Sequence, residues 1–177
     1  MKKLEIVGYK RANLGKTESQ RLRAEGYVPA VLYGGTEHVH FYTPAILFRE
    51  LLFTPDSYNV TINIEGVEYQ GILQETQFHP VNDSLIHADF LEIVPGKEIK
   101  VKVPVKLTGT SVGVMKGGKV NQKLLKMQVQ GLVENIPDYI EVDVTNLDLG
   151  KSVKVGAVKP EGFVILSPAS NPVASVD

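Results

Sequence analysis

The 177 residues are 43% hydrophobic and 22% charged and include no cysteine. They leave room for one generous domain or two small ones, and they exclude a large multidomain enzyme, a mainly disordered chain, disulfides and cysteine-bound metal centres. The net charge of −1 excludes a uniform cationic coat, but residues 1–24 hold seven basic side chains against two acidic (+5), residues 25–95 only Arg49 against ten acids (−9), and residues 96–177 eleven lysines against eight acids (+3).

A short basic segment on an acidic body is the footprint of a focused site for an anionic ligand, although a solvated basic face has the same pattern. The N-terminus offers no secretory apolar stretch and no segment reaches transmembrane length, so the expected compartment is the cytoplasm. Leu4 and Ile6 alternate with charged neighbours and predict a strand over residues 3–9. Thr17-Glu18-Ser19-Gln20 has the spacing of a capping box, opening a helix over 18–25 that ends at Gly26. With Gln20, Arg21 and Arg23 on it, this helix has only Leu22, with Ser19 beside it, to turn inward.

Residues 27–35 read as a strand entering a glycine turn, and 38–42 as its return. Thr43-Pro44 predicts an N-cap with proline at the first helical position, opening a helix over 45–52. Residues 58–64 alternate as a strand, Glu65-Gly66 turns it, and Val67–Gln74 returns. Residues 85–93 form a further strand. Val94-Pro95-Gly96-Lys97 separates the charge regimes and divides the chain into domains at 1–94 and 95–177. Beyond it, β-like runs at 99–107, 124–129, 139–144, 153–158 and 163–166 predict an all-β or mainly β second domain.

Few residues suggest catalysis. His38 and His40 share a strand face, and His79, His87 and Asp89 add metal-ligating chemistry, but the spacing fits no metal motif. His87 and Asp89 lie two apart in an apolar strand, where they are either a hydrogen-bonded pair serving the fold or a ligand-contacting pair. No Gly-x-Ser-x-Gly elbow accompanies the Ser, His and Asp inventory, and Gly34-Gly35 and Gly117-Gly118-Lys119 lack the spacing of phosphate-binding loops. Tyr9, Tyr27 and Tyr33 flank the basic segment, where they could stack on bases or half-bury in a barrel.

The string Arg11-x-x-x-Gly15-Lys16-x-x-Ser19-x-Arg21-Leu22-Arg23-x-x-Gly26-x-x-Pro29-Ala30-Val31-Leu32-Tyr33-Gly34, followed by Gln77-x-His79-Pro80 and His87-x-Asp89-Phe90, resembles the bacterial large-subunit ribosomal protein family that binds 5S rRNA. The second half, through Val103-Pro104-Val105, the Gly113–Gly118 loop, Ile136-Pro137 and Val142-Asp143-Val144-x-x-Leu147-x-x-Gly150, is similar to the family's long, general stress protein Ctc form.

The resemblance implies a mainly β protein with short helices. Its N-terminal barrel would be similar to the anticodon-binding barrel of glutaminyl-tRNA synthetase, with an all-β domain following. It further implies a structural constituent of the large subunit, working in the cytoplasm on the ribosome. Such a protein is no enzyme, takes no cofactor or metal, has no membrane partner and is a monomer when off the ribosome. By that likeness Arg11, Lys16, Ser19, Arg21 and Arg23 contact phosphates and riboses of 5S rRNA, Tyr33 the backbone, and His87 with Asp89 the groove edge. Gln20 belongs to the same set, although the family usually has a basic residue there, and a glutamine releases no counterion. Two alternatives predict differently. A stress-linked protein acting through protein contacts of its second domain would keep its activity on residues 96–177, and a histidine/carboxylate hydrolase would need stoichiometric metal and His87.

Overall fold

The computed structural model describes residues 2–54 and 56–177 and divides into two compact units, Met1–Lys97 and Glu98–Asp177. In the first, β1 (Lys2–Lys10), β2 (Tyr27–Tyr33), β3 (Val39–Pro44), β4 (Tyr58–Ile64), β5 (Val67–Phe78) and β6 (Leu85–Glu92) close into a barrel of order β1-β3-β2-β6-β5-β4. The closure is parallel, from Lys2 beside Tyr58 to Gly8 beside Ile64. Alternation along each strand turns one set of side chains inward. Ile6, Val28, Ala30, Leu32, Phe41, Val60, Ile62, Ala88 and Phe90 fill the interior, joined by Phe48. Phe90 is central to it, with the Phe41 and Phe48 rings 5.9 and 6.1 Å away.

β5 runs four residues beyond the expected Gln74, and a bulge between Leu73 and Glu75 resets its register against β6. The extra residue keeps Leu73 opposite the inward Phe90 and sets Glu75 opposite Asp89 and Gln77 opposite His87. Such bulges re-aim side chains, and this one fixes what borders the His87–Asp89 pair.

Two helix starts differ from expectation. The first helix, α1, spans Lys16–Ala24 with Gly15 as its N-cap and no side-chain cap. Thr17 therefore lies in the first turn rather than in a capping box, and Glu18 there pairs with Arg21. The end is as expected: Gly26 adopts φ +84°, a left-handed conformation that glycine takes without a Cβ penalty. The second departure is at Thr43-Pro44, which belongs to β3. A 3₁₀ turn at Ala45–Phe48 follows, then α2 (Arg49–Phe53), and no side chain caps either. The fully buried Thr43 hydroxyl instead donates to the Val7 carbonyl at 2.7 Å, tying β3 to β1. A buried hydroxyl must find a partner inside the barrel, and that need outweighs an exposed cap.

The second unit holds β7 (Ile99–Thr108), α3 (Val112–Met115), β8 (Val120–Gln122), β9 (Lys126–Gly131), β10 (Ile140–Asp143), β11 (Ser152–Lys154), β12 (Phe163–Ile165) and β13 (Pro172–Val176). A four-stranded sheet runs β10-β7-β9-β12 and a three-stranded one β11-β13-β8. The expected strand at 153–158 is overturned: β11 stops at Lys154 and Val155–Ala157 is a 3₁₀ turn. β8 and β13 lie outside the expected runs; each is short and pairs with the other far along the chain. The Gly113–Gly118 segment is built in. The buried Ser111 hydroxyl accepts from Gly113 N at 3.1 Å and donates to the Leu147 carbonyl at 2.6 Å, while Lys119 and Asp177 exchange backbone bonds.

Candidate nucleic-acid interface

The outer face of the barrel is set by strand parity. In β6, Ala88 and Phe90 point inward, so His87 and Asp89 project outward side by side. His87 Nδ1 and Asp89 Oδ1 lie 2.7 Å apart, each side chain 27% exposed. The two polar side chains thus stand in direct contact and are still reachable. Register extends it into a row across four strands, with His40 opposite Val31, Val31 opposite Asp89 and Asp89 opposite Glu75. Tyr33 is on the same face of β2. Partial burial, then the charges of Asp89 and Glu75, hold its phenol above the ordinary tyrosine range, so the hydroxyl stays a neutral donor.

The helix α1 lies against β2, with Leu22 its single buried residue. Lys16, Gln20 and Arg23 fall at i, i+4 and i+7 and so share one helix face, while Arg21 lies about 100° further round the helix, with Glu18 and Glu25. Arg23 Nε donates to the Ile86 carbonyl at 3.0 Å, which brings this face to the strand that carries His87 and Asp89. Arg21 is 63% exposed and engaged within its own helix, 2.8 Å from Glu18 and 3.7 Å from Glu25. Exposed pairs of this kind are worth about 0–1 kcal/mol, so exchanging them for a phosphate costs little.

Arg11 is held between two elements. Its amide donates to the His40 carbonyl at 3.0 Å, and its Nη2 donates to the Ser19 hydroxyl at 2.9 Å; that hydroxyl in turn donates to the Gly15 carbonyl at 3.2 Å. Ser19 therefore positions Arg11 on the helix. The Nε of Arg11 is buried without a hydrogen-bond partner among the described residues, leaving donor capacity in the guanidinium unspent.

The structure thus gathers Lys16, Gln20, Arg21 and Arg23 on α1, Arg11 and Ser19 beside its start, and Tyr33, His87 and Asp89 on the adjoining strands. Three neighbours stand outside the RNA-contacting set that the resemblance implies. Gln77 stands opposite His87 because the β5 bulge puts it there, and no local pattern reports a bulge. His40 joins the row through register alone. Tyr42, which no motif singled out, links Tyr9 and Tyr27, its ring centroid 5.4 Å from the first and 5.3 Å, edge-on, from the second. Tyr9 remains 44% exposed at the end of this aromatic run. Among the described residues no three His, Asp or Glu side chains converge as a metal site would need, and no helix is long and apolar enough to cross a membrane.

Comparison with known proteins agrees with this architecture unit by unit. Residues 6–90 match the model of the ribosomal L25p family, and residues 98–177 that of the ribosomal protein TL5 C-terminal domain. The chain is 47% identical over 176 residues to the large ribosomal subunit protein bL25 of Cytophaga hutchinsonii, covering 99% of this chain and 92% of that one. It is 47% identical to the bL25 of Amoebophilus asiaticus, over all of this chain and 90% of the relative. The bL25 of Porphyromonas gingivalis is 39% identical over 178 residues, covering 99% of this chain and 93% of that protein. The protein belongs to the ribosomal L25p family, in the long form that carries a TL5-type C-terminal domain.

Proposed function

We propose that the protein is a constituent of the large ribosomal subunit that binds 5S rRNA through the face built from α1, β2 and β6. Members of the family are ribosomal proteins, so the role is structural and not catalytic. The observation that carries the reading is the docking of a cation-bearing helix, through Arg23 and the Ile86 carbonyl, beside the solvent-facing His87–Asp89 pair.

The chemistry suits the shallow minor groove of an RNA helix, which presents 2′-hydroxyls and base edges and is read largely by shape. Lys16, Arg21 and Arg23 supply donors to phosphate, the two arginines as forks. Arg11, held by Ser19, adds its guanidinium charge. Asp89 accepts from 2′-hydroxyls or exocyclic amines, and Tyr33 offers a hydroxyl that remains protonated. Gln20 hydrogen-bonds without releasing a counterion, which lowers its electrostatic share.

An anisotropy titration of the full chain against 5S rRNA and against a length-matched RNA duplex tests this. Tight binding that prefers 5S rRNA and is lost in Arg21→Ala/Arg23→Ala supports it. About five cationic contacts should give a log–log salt slope of roughly −3.5 to −4.5. Equal weak binding to both RNAs, untouched by the substitutions, would overturn it.

A further inference from the structure

The second unit carries its own cationic surface, on the face of the four-stranded sheet turned away from its core. Along β7, Ile99, Val101, Val103 and Val105 are buried, while Lys100, Lys102 and Lys106 are exposed on the opposite face. β9 repeats the pattern, with Met127 and Val129 inward and Lys126, Gln128 and Gln130 outward. The ladders align these residues: Lys100 with Gln130, Lys102 with Gln128 and Pro104 with Lys126. Lys100 and Lys102, two residues apart on one strand, emerge about 7 Å from each other.

The acids are at the borders of this face. Glu98 lies just before β7 and accepts from the Gln130 amide at 2.8 Å. Glu141 and Asp143 are on β10, the edge strand, and Glu141 stands opposite Lys106. Lys106 itself rests 5.0 Å over the Tyr139 ring, a contact that orders the side chain and keeps its charge. The middle of the face, over β7 and β9, is therefore a field of lysine and amide donors, with carboxylates along β10 that repel a polyanion from that edge. Exposed apolar side chains beside it include Val164, opposite Gln130 on β12, and Tyr139, the ring that Lys106 covers. The lysine and amide donors over β7 and β9 match phosphate and ribose oxygens.

We infer that this sheet face, through Lys100, Lys102, Lys106 and Lys126 with Gln128 and Gln130, is a second RNA-binding surface that grips the phosphate backbone of large-subunit RNA outside the 5S rRNA site. The contact is electrostatic and indifferent to sequence. It rests on the chain's place in a ribosomal-protein family, not on the 5S rRNA reading.

The test compares the full chain with its Lys100→Gln/Lys102→Gln/Lys106→Gln/Lys126→Gln variant and with the matching four-fold Lys→Arg variant. The probes are free 5S rRNA and large ribosomal subunits prepared without this protein. The expected result is unchanged affinity of the glutamine variant for 5S rRNA. Its affinity for subunits should fall about tenfold or more, with a salt slope shallower by about 3, and the arginine variant should restore both. A photo-crosslinker at Gln128 should then capture RNA in the assembled subunit. Unchanged subunit affinity, a parallel loss on 5S rRNA, or crosslinking to protein alone would overturn the inference. Should the wild-type chain ignore 5S rRNA while the loss on subunits persists, the 5S rRNA reading fails and this surface stands.

Discussion

The Nε of Arg23 donates a hydrogen bond to the carbonyl oxygen of Ile86 at 3.0 Å, joining residues 63 positions apart. This bond sets the distance between the helix cations and the His87–Asp89 pair. Arg21, two residues away, makes only intrahelical ion pairs among the described residues. The two arginines should therefore separate in experiment. Arg23→Ala should lower the stability of the chain by about 1 kcal/mol in urea unfolding. It should also reduce 5S rRNA affinity. Arg21→Ala should leave stability within about 0.5 kcal/mol and still weaken binding, with the salt slope shallower by about 0.7–0.9.

Tyr33 offers a spectroscopic check on the same face. Burial and the neighbouring Asp89 and Glu75 charges raise its pKa above 10. In an ultraviolet pH titration its phenolate should form later than that of an exposed tyrosine, and Asp89→Asn should shift it back down. The unfolded chain loses this proton first. Between the unfolded and the folded pKa the native state binds more protons, so this group's contribution to stability is present below about pH 10 and declines above it. A Tyr33 titration insensitive to Asp89→Asn would mean that Asp89 does not act on the phenol.

Barrel closure depends on two small features of β1 and β3. Thr43→Val removes the donor to the Val7 carbonyl while preserving shape, and should cost about 1–2 kcal/mol. Gly8→Ala places a Cβ 2.6 Å from Phe41 Cδ2, inside a filled core, and should cost about 1–3 kcal/mol. Chemical unfolding of each variant measures both. A neutral Thr43→Val would show that the barrel closes without that bond.

In the second unit two exposed carboxylates are held below their usual range. Thr145, through its hydroxyl and its amide, does this to Asp143; Lys116 and the Leu149 amide do it to Asp148. Here the sign is opposite to that of Tyr33. The unfolded state binds more protons below the ordinary carboxylate pKa, so stability is present above about pH 4 and is lost as pH falls through the lowered folded values. Thermal melts between neutral and acid pH should show this loss, and Thr145→Val with Lys116→Met should flatten it.

Strands whose alternation lies within a single segment, such as Tyr58–Ile64 and Ile99–Thr108, were legible because period-two patterning is local. The Glu65-Gly66 turn, with φ of 52° and 92°, was legible for the same reason. Caps were not. Thr17 and Thr43 have good capping chemistry, yet Gly15 caps the first helix, and the Thr43 hydroxyl goes to a carbonyl 36 residues away. β8 and β13 were invisible because three- and five-residue strands carry little pattern until each meets the other.

By itself the sequence determined a mainly β chain, with a basic segment at one end and a motif string specific enough to point to a family, because these are properties of composition, period and spacing. The tertiary structure alone decided the geometry of the candidate site. Strand register, the bulge at Gln74 and the reach of Arg23 to Ile86 bring Arg23 on α1 beside β6 and set Gln77 against His87 and Glu75 against Asp89. Register and long-range hydrogen bonds form only when distant segments meet, so no window of sequence contains them.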